Sequence, residues 1–217
     1  MIRNSAGVVV MNSQIHHTTT GINHLNSQNI SLEGNDIHDL QVDGIRGGGS
    51  SNVTISGNKL TDFYPKEGDH PDAIQFWTTN TSATAHDLVI KDNTFVRGRG
   101  QRIQGIFLGN EEKIPFEDVT ISGNYIIGGM YHGISVYYGS KIKVYNNIVQ
   151  GYVDMNSWIM MDHTSDASIS NNRATSFQFQ FENKDLKESG NREVPAAQIG
   201  DLSILKGLTR APLTHGQ

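Results

Sequence analysis

The sequence predicts an all-β chain, folded as a single-stranded right-handed parallel β-helix of about seven coils with two long loops flanking a groove. Three observations predict it. A short pattern recurs along most of the chain, apolar residues alternate within each copy, and β-branched residues rather than Leu dominate the copies. Alternation is the period of a strand. The scarcity of Leu argues against a leucine-rich repeat, which has a similar length.

The pattern is apolar-x-apolar-x-x-Asn-x-apolar. A degraded first copy, Val8-x-Val10-x-x-Ser13-x-Ile15, leads to Ile30-x-Leu32-x-x-Asn35-x-Ile37 and Val53-x-Ile55-x-x-Asn58-x-Leu60. Leu88 to Phe95, Val119 to Ile126 and Ile142 to Val149 repeat it around Asn93, Asn124 and Asn147, and a degraded last copy is Ala167-x-Ile169-x-x-Asn172-x-Ala174. Each copy also carries a second strand signal, a small residue before an apolar alternation: Gly21-Ile22, Gly44-Ile45, Ala73-Ile74, Gly105-Ile106 and Gly133-Ile134, with Trp158-Ile159 in the last. A unit of some 22 residues cannot bury its own apolar face, so the units must stack. The recurring Asn then falls at an inward turn, where its amide can bond the turn backbone and the Asn of the next coil. These copies place the β-helix over 1–183. Residues 184–217 drop the pattern and are expected to form a cap or a partly disordered tail, with a short helix or strand over 198–205.

Coils of 22 or 23 residues leave the intervals Asn58–Asn93 and Asn93–Asn124 with roughly ten surplus residues each. Extra length on a rigid scaffold is usually functional loop. The surplus falls in Phe63–Asp72 and Thr78–Ala85, then in Arg97–Arg102 and Asn110–Pro115, at matching places in adjacent coils. The loops should therefore flank one groove floored by the small-residue–Ile strand. With the Ile side chains inward, three outward columns are expected. One is Gly44, Ala73, Gly105, Gly133 and Trp158. The next is Arg46, Gln75, Phe107, Ser135 and Met160, and the third is Trp77, Gly109, Tyr137 and Asp162. A strip of small residues bordered by rings and polar groups suits a sugar chain, although the glycines could equally serve tight stacking.

Composition narrows the classes. With 17 Lys and Arg against 22 Asp and Glu, the net charge of −5 argues against a general nucleic-acid binder. No apolar run reaches the length of a membrane span. The absence of Cys removes disulfides, thiolate metal sites and thiol catalysis. No leader of useful length precedes Val8, so an extracellular or phage-virion location would need another route or a longer parent chain.

The run Val-Thr-Ile-Ser-Gly-Asn, present at Val53–Asn58 and at Val119–Asn124, resembles the coil signature of pectate-lyase-like right-handed parallel β-helix proteins. That resemblance implies a superfamily of polysaccharide lyases, uronate C5-epimerases, glycoside hydrolases and phage depolymerases, with non-catalytic adhesins among them. Fold alone does not choose between these.

The densest polar constellation is Asp69-His70-Pro71-Asp72-Ala73-Ile74-Gln75, at the mouth of the groove strand. Asp or His could move a proton there and Gln could orient substrate, while turn chemistry alone would explain Asp and Pro. A second constellation is basic: Arg97, Arg99 and Arg102 on one loop, Lys66 on the other and Arg46 on the floor. Guanidinium groups hold a glycan carboxylate bidentately. A third is Tyr131-His132-Gly133-Ile134-Ser135-Val136-Tyr137, offering another proton-transfer group or a stacking face. The expected catalytic residues are His70, Asp72, Tyr137 and Asp69, and the expected substrate-binding residues are Arg46, Gln75, Trp77, Arg97, Arg99, Arg102 and His132. No metal site is expected; calcium could at most bridge Asp69 and Asp72 to an acidic substrate.

The leading reading is an enzyme acting on a uronate-containing polysaccharide by β-elimination or C5-epimerisation. One alternative is hydrolysis by Asp72 paired with Asp43 or Asp69, with carboxyl separation setting the stereochemical course. The other is an adhesin that only holds glycan. A monomer or a homotrimer is expected.

Overall fold

The computed structural model describes residues 1–179 and 181–206. Among these, 24 strands form three parallel sheets of eight, and the chain visits the sheets in strict rotation. Sheet I contains Ile2–Arg3, Ile22–Leu25, Ile45–Gly48, Asp72–Trp77, Gln104–Leu108, Tyr131–Tyr137, Ser157–Asp162 and Ser176–Gln178. Sheet II runs from Ala6–Met11 to Lys184–Ser189, and sheet III from Gln14–Thr18 to Arg192–Glu193. This is a right-handed parallel β-helix.

The alternation in the sequence becomes the inner wall. Ile45, Ile74, Ile106, Ile134 and Ile159 of sheet I meet Ile55, Ile90, Ile121 and Val144 of sheet II and Leu60, Phe95, Ile126 and Val149 of sheet III in one core, each at most 2% exposed. Each such side chain contributes roughly 1.5–3 kcal/mol by leaving water.

The recurring Asn forms a ladder through the molecule. Asn35, Asn58, Asn93, Asn124 and Asn147 each donate Nδ2 to the Oδ1 of the next, at 2.9–3.0 Å. The same Oδ1 atoms accept the backbone N–H of the preceding rung. The residue just before each rung lies in the left-handed region, as Asn12, Gly34, Gly57, Asp92, Gly123, Asn146, Asn171 and Gly190, with φ between 50° and 64°. That conformation favours Gly, Asn and Asp, which explains the Gly-Asn end of the repeated motif.

The column runs further than the repeat in the sequence. Lys184–Ser189 joins sheet II, Arg192–Glu193 joins sheet III, and Asn191 is the eighth rung, accepting from Asn172 at 3.0 Å. The motif is hidden there because two of its apolar places hold Glu188 and Glu193, leaving only Leu186 in the inward pattern. Beyond it the chain turns back along the outside of sheet III. Ala197 N–H donates to Gly151 O, Gln150 Nε2 donates to Pro195 O, and Leu202, Ile204 and Leu205 cover Val96, Ile127, Ile148 and Tyr152. The expected element over 198–205 is one 3₁₀ turn, Ser203–Leu205. Residues 207–217 of the expected cap lie outside the described residues.

One core residue breaks the apolar pattern. His24 is fully buried among the inward side chains, with its ring 5.2 Å from Phe76 and packed into the space left by Gly47. Neither ring nitrogen has a partner, and burial lowers its pKa from 6.5 to about 4. The folded state therefore resists protonating a group that the unfolded chain protonates below 6.5. Stability is full above that pH and falls as pH drops towards 4, by about 3 kcal/mol in all. Urea unfolding of wild type and His24→Leu at neutral pH and near pH 4 should show the larger acid loss in wild type. Equal losses would refute this account.

Candidate active site

Sheet I carries the groove because the long insertions fall on both of its edges. Residues 64–71 and 97–103 lead from sheet III into sheet I, and 78–85 and 109–115 lead from sheet I to sheet II. Between them, Asn23, Arg46, Gln75, Phe107, Ser135 and Met160 stand in register on the outward face. This is the second column expected from the sequence.

The first expected column is not on the groove floor. A Cβ on Gly44 would lie 2.4 Å from Leu60 Cδ2, and one on Gly133 would lie 2.2 Å from Val149 Cγ1. These glycines face the core where the chain swings in from sheet III, so tight stacking explains them. Trp158 does not share their place: a bulge at Gly133 pairs Trp158 with His132. In the third column, Trp77 pairs with Gly48 and Tyr137 with Asp162.

The floor has a polar end and an aromatic end. At the polar end, two carboxylates on consecutive coils meet. Asp43 Oδ1 accepts the backbone N–H of Asp72 at 2.9 Å, and Asp43 Oδ2 accepts Arg46 Nη1 at 2.9 Å. Arg46 Nε also donates to Asn23 Oδ1 at 2.5 Å, and its guanidinium lies 5.9 Å from the Trp77 ring centre. Asp72 Oδ2 accepts Gln75 Nε2 at 2.8 Å, while its Oδ1 is buried without a partner. Asp43 and Asp72 are 2% and 1% exposed. Burial, and then the charge of Asp43, push the Asp72 pKa well above the ordinary carboxylate range. Burial also raises Asp43, but the Asp72 N–H and Arg46 oppose it. Asp43 therefore ionises at a lower pH than Asp72.

The aromatic end lies one to two coils on. Phe107 stands 5.0 Å from the His132 ring and 5.7 Å from Tyr137, and Trp158 stands 5.7 Å from His132 and 5.4 Å from Tyr131. His132 Nδ1 pairs with Ser135 Oγ at 2.8 Å, and burial lowers the His132 pKa. Burial, helped by Asp162, raises the Tyr137 phenol.

The other expected site residues are dispersed. Arg97 is buried, with its guanidinium paired to both Asp154 oxygens at 2.8 Å, its Nε on Gly128 O, and its face 4.8 Å from the Tyr152 ring. It locks the corner loops, leaving no free edge for a glycan carboxylate. Arg102 Nη1 donates to Asp154 O at 3.2 Å and, with Lys66 and Asp69, borders a corner cavity of about 440 Å³. Asp69 accepts Gln41 Nε2 and Lys66 N–H, which hold its carboxyl below the ordinary range and close the loop turn. His70 is exposed on that loop. Arg99 lines a cavity on sheet III instead of the groove.

Gln104 was not singled out from sequence. It pairs in register with Asp72, and its Oε1 is likewise buried without a partner. The signal was the residue before each small-residue–Ile step: Asp43, Asp72, Gln104 and His132 all hold that place. Among the described residues, no three His, Asp or Glu side chains are grouped to hold a metal ion, and no helix is long and apolar enough to cross a membrane.

Comparison with known proteins agrees with this architecture. The family described as "Right handed beta helix region" matches residues 1–174. No curated protein matches the sequence. Among solved structures, one titled "Glycoside hydrolase" is similar at 11% identity and a TM-score of 0.35, over 80% of this chain and 38% of that one. The catalytic domain of a GH87 alpha-1,3-glucanase in complex with nigerose is similar at 13% identity and a TM-score of 0.33, over 92% of this chain and 47% of that one. The chain thus spans less than half of either structure, and the likeness is one of fold. With the family matched over most of its length, the chain belongs to the right-handed β-helix proteins.

Proposed function

We propose that the chain is a carbohydrate-active enzyme that hydrolyses glycosidic bonds in the groove of sheet I. The observation that carries this reading is the Asp43–Asp72 pair: two buried carboxyls on consecutive coils, held in unlike environments so that Asp72 gives up its proton at a higher pH than Asp43. Asp72 delivers its proton to the leaving oxygen as the glycosidic C–O bond breaks. Asp43 stabilises the positive charge developing on the sugar, and water supplies hydroxide to carbon and a proton back to Asp72. Neighbouring parallel strands lie roughly 4.8 Å apart, which favours the close-carboxylate geometry of retention. Arg46 and Gln75 cover the pair, so substrate must draw them onto its hydroxyls. Phe107, Tyr137 and Trp158 give the flanking sugar units a face to stack on.

β-Elimination or epimerisation is less well supported, because either needs cations free to neutralise a uronate. Arg46 holds Asp43 and Asn23, Arg97 holds Asp154, and Arg99 lies over sheet III. Binding without cleavage is favoured by one specific observation, the 1–2% exposure of both carboxylates. A panel of neutral and acidic polysaccharides separates the readings. New reducing ends without unsaturated-uronate absorbance are expected. A rise in that absorbance would establish elimination, and retention on the polysaccharide with no product would establish a binding module.

A further inference from the structure

The geometry points to a second ligand site on the outer face of sheet III, built for an uncharged polyhydroxylated molecule such as a single sugar unit. It lies around a corner from the Asp43–Asp72 pair and stands whether or not that pair cleaves glycan. A cavity of about 550 Å³ opens there between the sheet and the loop at 97–103, bordered by Asp36, Asp39, Lys59, Thr61, Asp62 and Arg99.

Its floor carries closely grouped polar side chains, one oxygen of which is buried without a partner among the described residues. Thr61 and Asp62 are 5% and 3% exposed. Thr61 Oγ1 and Asp62 Oδ1 lie together beneath the loop at Gly98. Asp62 Oδ1 accepts the Arg99 N–H at 2.6 Å, and Asp36 Oδ1 is buried without a partner. Buried polar atoms left this way call for water or a ligand.

The surplus loop is shaped to this floor. Gly98 lies in the left-handed region at φ 61°, and a Cβ on it would fall 2.4 Å from Asp62 Oδ1 and 2.5 Å from Thr61 Oγ1. Only glycine lets the loop come down this closely and bring Arg99 over the cavity. The extra residues of that coil thus enclose this cavity as well as walling the groove.

The lining chemistry selects the ligand class. Three carboxylates against Lys59 and Arg99 disfavour an anion. A bare cation lacks a converging set of carboxylates among the described residues. Lys59 stands 3.7 Å from Asp36, and His38 is 2.6 Å from Asp39 and holds that carboxyl ionised. A sugar ring fits this mixture, since each hydroxyl donates to a carboxylate and accepts from a hydroxyl, guanidinium or ammonium.

The test is amide-shift mapping by NMR on the isotope-labelled full chain, titrated separately with glucose, galactose, mannose and N-acetylglucosamine. At least one sugar is expected to shift the amides of Thr61, Asp62, Gly98 and Arg99. Thr61→Val, nearly isosteric, and Arg99→Ala should each weaken that binding about tenfold. Asp72→Asn should leave it unchanged. The proposal is overturned if no sugar moves these amides, if both cavity variants bind as wild type does, or if sodium sulfate or calcium chloride shifts the same amides more than any sugar. Spectra of the free variants matching wild type outside the cavity confirm that their folds are intact.

Discussion

Asp72→Asn is expected to lower glycan cleavage by about 10²–10⁴-fold while raising stability at neutral pH. The amide keeps the shape of the side chain and an oxygen for Gln75, but it has no proton to give. Wild-type cleavage should be present while Asp72 is protonated and be lost as pH climbs through its raised pKa. Linkage gives stability the same direction. The unfolded chain ionises this carboxyl near 3.8, whereas the folded protein holds its proton well above that value. Stability therefore falls as pH rises from 3.8 towards the folded pKa, and the Asn variant escapes that loss. Product assays and urea titrations across pH measure both halves. Cleavage at the wild-type rate would remove Asp72 from the chemistry. Wild-type stability at every pH would instead show that the carboxyl ionises freely in the fold.

Asn124→Ala, in the buried middle of the ladder, should cost far more stability than truncation of its last rung. Asn124 Nδ2 donates to Ile90 O and to Asn147 Oδ1, and its Oδ1 accepts both the backbone N–H and the Nδ2 of Asn93. Truncation removes the side-chain partner of the Asn93 N–H and of the Ile90 carbonyl, at about 1–3 kcal/mol apiece, and one of two bonds from Asn93 Nδ2 and Asn147 Oδ1, so a loss of roughly 4 kcal/mol is expected. For a chain of this size that is a fall in Tm on the order of 10 °C. Asn191 has no described rung beyond it and is only part-buried, so Asn191→Ala should cost about 1 kcal/mol. Thermal unfolding followed by circular dichroism compares the two. Equal shifts would mean that the ladder does not act through burial.

The ladder and core were legible in sequence for a simple reason. A stacked coil repeats the same environment every turn, so the demand for an inward apolar residue or a turn amide is written at each copy. The eighth rung escaped because the last coil holds Glu188 and Glu193 at apolar places of the motif and has little core to cover. The Asp43–Asp72 carboxylate pair was partly legible, through the Asp72 loop and the stacked Asp43. Gln104 left a fainter mark, because an uncharged amide carries little signal of its own until the coils stack it against Asp72.

The sequence by itself determined the fold, the coil register and the sheet bearing the long loops, since each depends on periodic burial. Only the tertiary structure decided which charges are free. The five cations near the loops look alike along the chain, yet Arg97 is buried against Asp154, the half-exposed Arg46 is paired with Asp43, and Arg99 is carried over another sheet. Ion pairing depends on where a corner loop turns, and residues 57 positions apart, such as Arg97 and Asp154, leave no periodic trace of their meeting. The raised pKa of Asp72 is likewise a product of burial beside a second carboxylate, a condition that exists only once the coils have closed.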